Sequence, residues 1–316
     1  MTTPSIVVLG NANVDLTTYV PHAPAEGETV LGHGFSMGMG GKGANQAVAA
    51  SRAGSEVAFI GRRGDDSFGQ MIYDSLHAEG LHLEHLVQVP GASGNATIYV
   101  EDSGANRIAV FQGASATITP EDARASVASL EGAGYFVSQL EGRQDVVLAG
   151  LQEASARGMV CVLNTAPYSP LLPGVQESTD WLIANEVEMQ GLLAEAGLPT
   201  EVDLPPEDLM SLIPGWSQTL GCDLVLTLGS QGALGYHHES GAVFVAAPTV
   251  TAVDTVGAGD CFVGYFVSLM SSGLTWEEAL RGAVHAASES VQTAGAQSSY
   301  PVRADAQRFR ALASES

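Results

Sequence analysis

Residues 252–273 read AVDTVGAGDCFVGYFVSLMSSG, a pattern that predicts a strand ending at Asp254, a glycine-rich turn, and a helix with Asp260 in its first turn. Gly257 and Gly259 allow the main chain to approach a ligand closely, and the N–H groups at a helix N-terminus form an anion site. A carboxylate beside such a site makes chemical sense if it accepts a proton from a hydroxyl that attacks phosphorus. Taken alone, Asp260 fits equally well as a residue favoured by the helix dipole.

A second glycine-rich stretch, GMGGKGANQAVAA at residues 38–50, contains Lys42, the one lysine in a chain with eleven arginines and 35 acidic residues. The sequence does not match two other phosphate-binding motifs. Gly10 is followed by NANVD, which lacks the glycines of a dinucleotide fingerprint, and the segment around Lys42 lacks the first glycine and the final hydroxyl residue of a Walker loop. A nicotinamide-dependent dehydrogenase is therefore disfavoured.

The order of predicted elements indicates the fold class. Strand-like runs at residues 5–10, 56–61, 135–141, 160–167, 180–186 and 223–230 alternate with helical or loop segments. Such alternation predicts one α/β domain over residues 1–316, with a mostly parallel central sheet and helices on both faces. The exceptions are NATIYVED and RIAVFQG, which predict a hairpin turning at residues 103–106. With the early irregular strands they predict a small β lid, formed by about residues 13–36 and 93–113.

Composition excludes several functions. A net charge of −23 argues against binding to nucleic acid or to an anionic membrane, because both need basic patches. No apolar run reaches the roughly 18 residues of a membrane span, and the N-terminus lacks the features of a secretory signal, so we expect a cytoplasmic protein. The three cysteines are scattered without metal-ligand spacing, which is typical of reduced thiols.

The two glycine-rich stretches occur together, and GGKGANQAVAA with DTVGAGD resembles the PfkB sugar-kinase family. The resemblance runs from VVLGNANVD to GAQSSYP, which is nearly the whole chain. It implies a sheet-centred α/β fold, a β lid that often forms a homodimer contact, and phosphoryl transfer from ATP to a sugar hydroxyl. The expected reaction is D-ribose to ribose 5-phosphate. Another sugar or a nucleoside stays open as the acceptor, whereas a non-catalytic sugar sensor would need neither Asp260 nor the anion site.

The resemblance also implies roles for individual residues. Asp260 would be the general base, and Gly257, Ala258 and Gly259 would form an anion hole. The sugar would contact Asn13, Asp15, Gly41, Lys42, Asn45, Glu141 and Asp260. The nucleotide would contact Asn185, Thr227, Gly229, Ser230, Gly232, Gly259 and His285.

Two metal ions are implied by the same resemblance. Glu188, in the NEVE segment, would act on Mg²⁺ indirectly, through the waters that this ion retains. Asn185 in that segment also fits as a helix cap, and both roles are compatible. A K⁺ ion would be bound by Asp254, Val256, Ser290, Thr293, Gly295 and Ser299, several of them through backbone oxygens. The chain departs from the family pattern at residues 292–294, where Gln, Thr and Ala stand, but backbone ligation survives side-chain replacement.

The chain also departs from the family pattern in the lid hairpin, where Asn95 and Tyr99 are predicted to face the sugar.

Overall fold

The computed structural model describes residues 3–313 and contains two β-sheets. The strands are β1 (Ile6–Leu9), β2 (Asn13–Val20), β3 (Gly34–Gly40), β4 (Val57–Gly64), β5 (Leu86–Val89), β6 (Asn95–Glu101), β7 (Asn106–Phe111), β8 (Tyr135–Gln139), β9 (Val160–Asn164), β10 (Trp181–Asn185), β11 (Asp223–Thr227), β12 (Gly232–His237) and β13 (Gly241–Ala246). The α-helices are α1 (Lys42–Arg52), α2 (Ser67–Ala78), α3 (Pro120–Ser129), α4 (Gln144–Ala156), α5 (Glu186–Glu195), α6 (Pro206–Leu220), α7 (Ala258–Ser271), α8 (Trp276–Ser290) and α9 (Ala306–Ala313).

The larger sheet has nine strands in the order β13-β12-β11-β10-β9-β8-β1-β4-β5. Its pairs are parallel except β11 with β12 and β12 with β13. The chain runs from β1 to one side through β4 and β5, and later continues from β8 to the other side. This reversal creates a crevice at the carboxyl ends of β1 and β8, where open α/β sheets bind their ligands.

Both faces of the larger sheet are buried, as a mostly parallel sheet requires. In β1, Ile6 and Val8 pack into one core with α1, α7 and α8, whereas Val7 and Leu9 pack into a second core with α3 and α4. A third core beneath α5 and α6 takes the alternate residues of β10 and β11. The predicted fold class is therefore confirmed. Within residues 3–313, no helix is both long and apolar enough to cross a membrane.

The second sheet, which consists of β3, β2, β6 and β7 in that order, stands apart from the larger one. Its β2 and β6 pair in parallel, and β6 and β7 form the predicted hairpin. Phe35, Met37, Ile108, Val110 and Phe111 on β3 and β7 are each at least half exposed. The second sheet therefore presents apolar side chains to solvent.

One predicted strand is wrong. The segment before Gly257 is irregular, and the preceding strand, β13, ends at Ala246. The N–H groups of Val253 and Asp254 both donate to the carbonyl oxygen of Val291, at 2.7 and 3.1 Å. Because these amides bond to a loop rather than to a neighbouring strand, the apolar residues of this segment do not extend the sheet.

Candidate active site

Helix α7 is brought close to helix α1 by a glycine. A Cβ atom added to Gly264 would lie 2.5 Å from the carbonyl oxygen of Gln46 and from the Ala49 side chain. Gly264 lies one turn after Asp260, so this close packing carries the start of α7 to the side chains of α1. A second close approach fixes α1 to the sheet, because a Cβ atom on Gly43 would lie 2.7 Å from the Cα atom of Gly10.

The Asp260 carboxylate is buried and held by two amides from α1. Asn45 Nδ2 donates to Asp260 Oδ2 at 2.9 Å, and Gln46 Nε2 donates to Asp260 Oδ1 at 2.9 Å. Each carboxylate oxygen accepts about two hydrogen bonds. Each Asp260 oxygen therefore keeps acceptor capacity beyond its amide donor.

The amide side chains of Asn45 and Gln46 form hydrogen bonds with further amide side chains. The sequence analysis did not predict these bonds. Gln46 accepts from Gln139 Nε2 at 2.7 Å and donates to Asn164 Oδ1 at 3.0 Å. Gln297 Nε2 donates to Asn45 Oδ1 at 3.0 Å. The available signal was an amide side chain at position 46 of an alanine-rich helix, where almost every residue is buried. A buried amide needs partners, and these partners fix how Asp260 is oriented.

The start of α7 has the geometry of an anion site. Gly257 precedes the helix with a φ of 75°, and a Cβ atom there would lie 2.6 Å from the Tyr300 hydroxyl. Cys261 is the first residue of α7 whose N–H donates to the carbonyl oxygen four residues earlier, which is that of Gly257, at 2.8 Å. The preceding N–H groups of Gly259 and Asp260 have no helical acceptor. Ala258 N–H makes a longer bond of 3.3 Å to the Thr255 oxygen.

Lys42 and Glu141 meet where α1 begins. Gly41 precedes the helix with a φ of 88°, and the Lys42 N–H donates to Glu141 Oε2 at 2.8 Å. Burial raises the pKa of Glu141, and the Lys42 amide and charge partly oppose this effect. Asn11, which follows β1, donates from Nδ2 to the Glu141 carbonyl oxygen at 3.3 Å. This bond crosses the crevice between the ends of β1 and β8.

Two polar residues of the second sheet lie beside this group. Asp15 is partly buried, which raises its pKa to about 6, and its carboxylate occupies the space that a Gly40 side chain would fill. Asn13 Oδ1 is buried without a hydrogen-bond partner and occupies the corresponding space at Gly94. Asp15, Lys42 and Asp260 all act on the charge of Glu141. The predicted sugar residues therefore converge.

The predicted nucleotide residues begin at the neighbouring strand ends. Asn185 and Glu188 form a capping box at the start of α5, with Glu188 N–H donating to Asn185 Oδ1 at 2.9 Å. Thr227 pairs with Asn185 across β10 and β11, and an exposed turn with Gly229 and Ser230 follows, ending at Gly232. His285 lies partly buried within α8, and no hydrogen bond in the described chain links it to the other predicted residues.

Glu188 has the chemistry of a residue near magnesium. Burial raises its pKa, whereas the Asn185 N–H and the charge of Lys42 lower it. Carboxylate oxygens suit Mg²⁺, which commonly retains several waters. The residues present therefore fit an indirect magnesium role.

The two segments that contain the predicted K⁺ residues are tied together. Asp254 accepts from the N–H of Val256 at 3.0 Å and from the N–H of Gly295 at 2.8 Å, which ties the loop before α7 to the segment after α8. In that segment Thr293 N–H donates to the Ser290 oxygen, and Ser299 Oγ donates to the Ala296 oxygen. Main-chain oxygens from two tied segments fit a hard cation.

Comparison with known proteins supplies independent information. The family model described as pfkB family carbohydrate kinase matches residues 3–303. The ribokinase of Schizosaccharomyces pombe is 35% identical over 307 residues, covering 94% of this chain and 95% of the relative. The deoxyribokinase of Salmonella typhi is 34% identical over 299 residues, covering 94% and 95%. The structure of Arabidopsis thaliana ribokinase complexed with ribose and ATP matches with a TM-score of 0.85 at 29% identity, covering 98% of this chain and 99% of that chain.

These matches extend over nearly the whole chain, as the resemblance in the sequence does. They confirm the predicted family and the predicted enzyme class, an ATP-dependent kinase acting on a sugar or nucleoside. The roles of individual residues stay predictions. This chain belongs to the PfkB family of carbohydrate kinases.

Proposed function

We propose that this kinase transfers the γ-phosphate of ATP to the 5-hydroxyl of D-ribose, with Asp260 as the general base. The observation that carries the proposal is the buried Asp260 carboxylate, which is oriented by two neutral amides from α1. It forms no salt bridge with any residue in the described range 3–313. A carboxylate held in this way keeps lone pairs for a proton from a substrate hydroxyl.

The proposed step follows from this arrangement. The 5-hydroxyl oxygen forms a bond to the γ-phosphorus, its proton passes to Asp260, and the bond between that phosphorus and ADP breaks. The N–H groups of the Gly257–Gly259 segment stabilise negative charge on the transferred phosphoryl group. Lys42, at the start of α1, adds positive charge near the sugar and the phosphate.

Neighbouring residues have supporting roles in this proposal. Asn185, Thr227 and the turn from Gly229 to Gly232 bind ATP at the ends of β10 and β11, and His285 lies near the adenine. Glu188 would act on Mg²⁺ through its waters, and the bound ion would neutralise phosphate charge. The tied segments around Asp254 and Gly295 would hold K⁺, and the bound ion would order the loop that leads to the anion site.

Ribose is favoured over a deoxysugar by unsatisfied acceptors. Among the described residues Asn13 Oδ1 has no hydrogen-bond partner, and the Asp15 carboxyl is partly buried. A pocket built to bond a hydroxyl rejects an analogue that lacks it, because its buried polar groups are then left unpaired. The ribokinase relatives support this acceptor, whereas the deoxyribokinase relative supports the alternative.

An acceptor panel tests the proposal. The kcat/KM for ATP-dependent phosphorylation is measured with ribose, 2-deoxyribose, fructose and adenosine, in K⁺ buffer and in buffer free of K⁺ and Na⁺. We expect the highest value with ribose and lower turnover without K⁺. A higher value with deoxyribose or adenosine contradicts the ribose assignment, and equal turnover in both buffers contradicts the K⁺ site.

The second sheet is proposed as both lid and dimer contact. Its β2 carries Asn13 and Asp15, so closing this sheet over the sugar would exclude water from the transfer. Its β3 has no charged residue, and in a chain with net charge −23 an uncharged strand is where two copies meet with least repulsion. We therefore propose a homodimer formed through the face of the second sheet that carries Phe35, Met37 and Phe111.

A further inference from the structure

Three side chains of types that bind metal ions meet at the end of the larger sheet opposite to the proposed active site. They are Asp223, the first residue of β11, His237, the last residue of β12, and His238. Because β11 and β12 are antiparallel, the start of one lies beside the end of the other. One ligand atom from each of the three lies within 4.8 Å of the others.

The Asp223 carboxylate is buried and faces both imidazoles. His238 N–H donates to Asp223 Oδ1 at 2.9 Å, which fixes the orientation of the carboxylate. Asp223 Oδ2 lies 3.4 Å from His237 Nε2 and 3.3 Å from His238 Nδ1. Metal–ligand bonds of about 2.0–2.2 Å at a tetrahedral angle place two ligand atoms roughly 3.3–3.5 Å apart. The two distances from Asp223 Oδ2 therefore match those between ligand atoms of a tetrahedral metal site, and His238 Nδ1 also lies 3.0 Å from Asp223 Oδ1.

The His237 ring is held in place before any ligand arrives. His237 stacks on Trp181 and Trp276, with ring centroids 5.7 and 6.3 Å apart. The His237 and His238 rings lie 4.5 Å apart, so both imidazoles border the same space. A site whose ligands are already oriented loses less conformational entropy when it binds an ion.

We propose that Asp223, His237 and His238 bind a divalent transition-metal ion of the zinc class, with water as the fourth ligand. Imidazole nitrogen suits Zn²⁺ and its transition-metal neighbours, whereas Mg²⁺ and Ca²⁺ prefer oxygen ligands throughout. The acidic chain attracts cations to its surface.

The role of this ion is structural. Asp223 lies at the opposite end of the five-residue strand β11 from Thr227, which is about 13 Å away at the usual rise per residue. The ion therefore cannot reach the reacting atoms near Asp260. It ties the end of β12 to the start of β11 and so stabilises this end of the sheet.

Direct metal binding to the full chain tests the proposal. The protein is stripped with EDTA, exchanged into nucleotide-free buffer, and titrated with Zn²⁺ by calorimetry and with Co²⁺ by visible absorption. We expect one strong Zn²⁺ site per chain and Co²⁺ bands typical of four-coordination. His238→Ala should weaken Zn²⁺ binding at least about tenfold, since even loss of an outer-shell partner costs about 10–100-fold.

Matched variants separate this site from general surface binding. His22→Ala removes an exposed histidine whose one partner among residues 3–313 is Glu28, and this variant should bind Zn²⁺ as the parent does. The His238 side chain is 67% exposed, so its replacement should leave the fold intact. Equal Zn²⁺ affinity of parent and His238→Ala overturns the proposal, as does a parent that gives no four-coordinate Co²⁺ bands. Zinc should raise the melting temperature of the parent but not that of His238→Ala.

Discussion

Asp15 shows at the scale of one residue how a binding site costs stability. Its pKa of about 6 in the fold lies above the ordinary value of 3.8 because burial disfavours the charge. A raised carboxyl pKa contributes stability below pH 4, and this contribution is lost as the pH rises through about 6. At neutral pH the charged group therefore destabilises the sugar-free protein.

Replacing Asp15 with asparagine should reverse that cost. We expect Asp15→Asn to raise the free energy of unfolding at pH 7.5 by on the order of 1 kcal/mol and to weaken ribose binding. Urea unfolding at pH 7.5 and near pH 4 measures the effect, which should vanish at the lower pH. The exposed Asp203→Asn serves as the control. A variant that is less stable than the parent at pH 7.5 would contradict this account of Asp15.

Gln46 is the second prediction at this scale. It fixes one oxygen of Asp260, so Gln46→Ala leaves the carboxylate less well oriented and a buried partner unpaired. A small misplacement of a reacting group costs up to about 10²-fold, and we expect kcat to fall by roughly 10- to 100-fold with little change in ATP affinity. Gln139→Ala, which removes a partner of Gln46 but no contact to Asp260, should have a smaller effect. A folded Gln46→Ala variant with parental kcat would refute the positioning role.

At the scale of elements, the start of α7 contains two glycines that differ in how well the fold should tolerate a side chain. Gly257 has a positive φ and no room for a side chain, so Gly257→Ala should cost roughly 1–3 kcal/mol of stability. Gly259 has open space around its Cα and lies inside the helix, so Gly259→Ala should keep or slightly raise stability.

Activity should separate the same two variants. The open space at Gly259 is where we propose that phosphate lies, so Gly259→Ala should raise the KM for ATP or lower kcat despite its intact fold. Thermal unfolding and steady-state kinetics of both variants check this. If Gly259→Ala is as active as the parent, the phosphate does not lie against this glycine.

Elements were more predictable from the sequence than contacts between them. The predicted hairpin is confirmed as β6 and β7, because turns and strand periodicity depend on residues a few positions apart. The strand predicted up to Asp254 is wrong because tertiary bonds to Val291 decide that segment. The hydrogen bonds from Asn45 and Gln46 to Asp260 join residues more than 200 positions apart. The local sequence pattern therefore cannot predict them.

At the scale of the whole molecule, the face of the second sheet that carries Phe35, Met37 and Phe111 determines assembly in our proposal. Phe35 on β3 is 63% exposed, and Phe35→Asp should place charge at the centre of the dimer contact. We expect this variant to elute as a monomer under conditions in which the parent is a dimer. Val302→Asp, at a valine that is 55% exposed and outside the second sheet, should elute as the parent does. Identical elution of parent and Phe35→Asp would remove this face from the interface.

The central claim is that Asp260 takes the proton from the sugar hydroxyl, and Asp260→Asn tests it most directly. Asparagine keeps the shape of the side chain but cannot act as a base, and general-base assistance is worth about 10²–10⁴ in rate. We predict that kcat with ribose falls by that factor, while ATP affinity and the melting temperature change little. Turnover is measured by coupled assay and ATP affinity by calorimetry on the same folded preparation. A kcat within about threefold of the parent would show that another group accepts the proton.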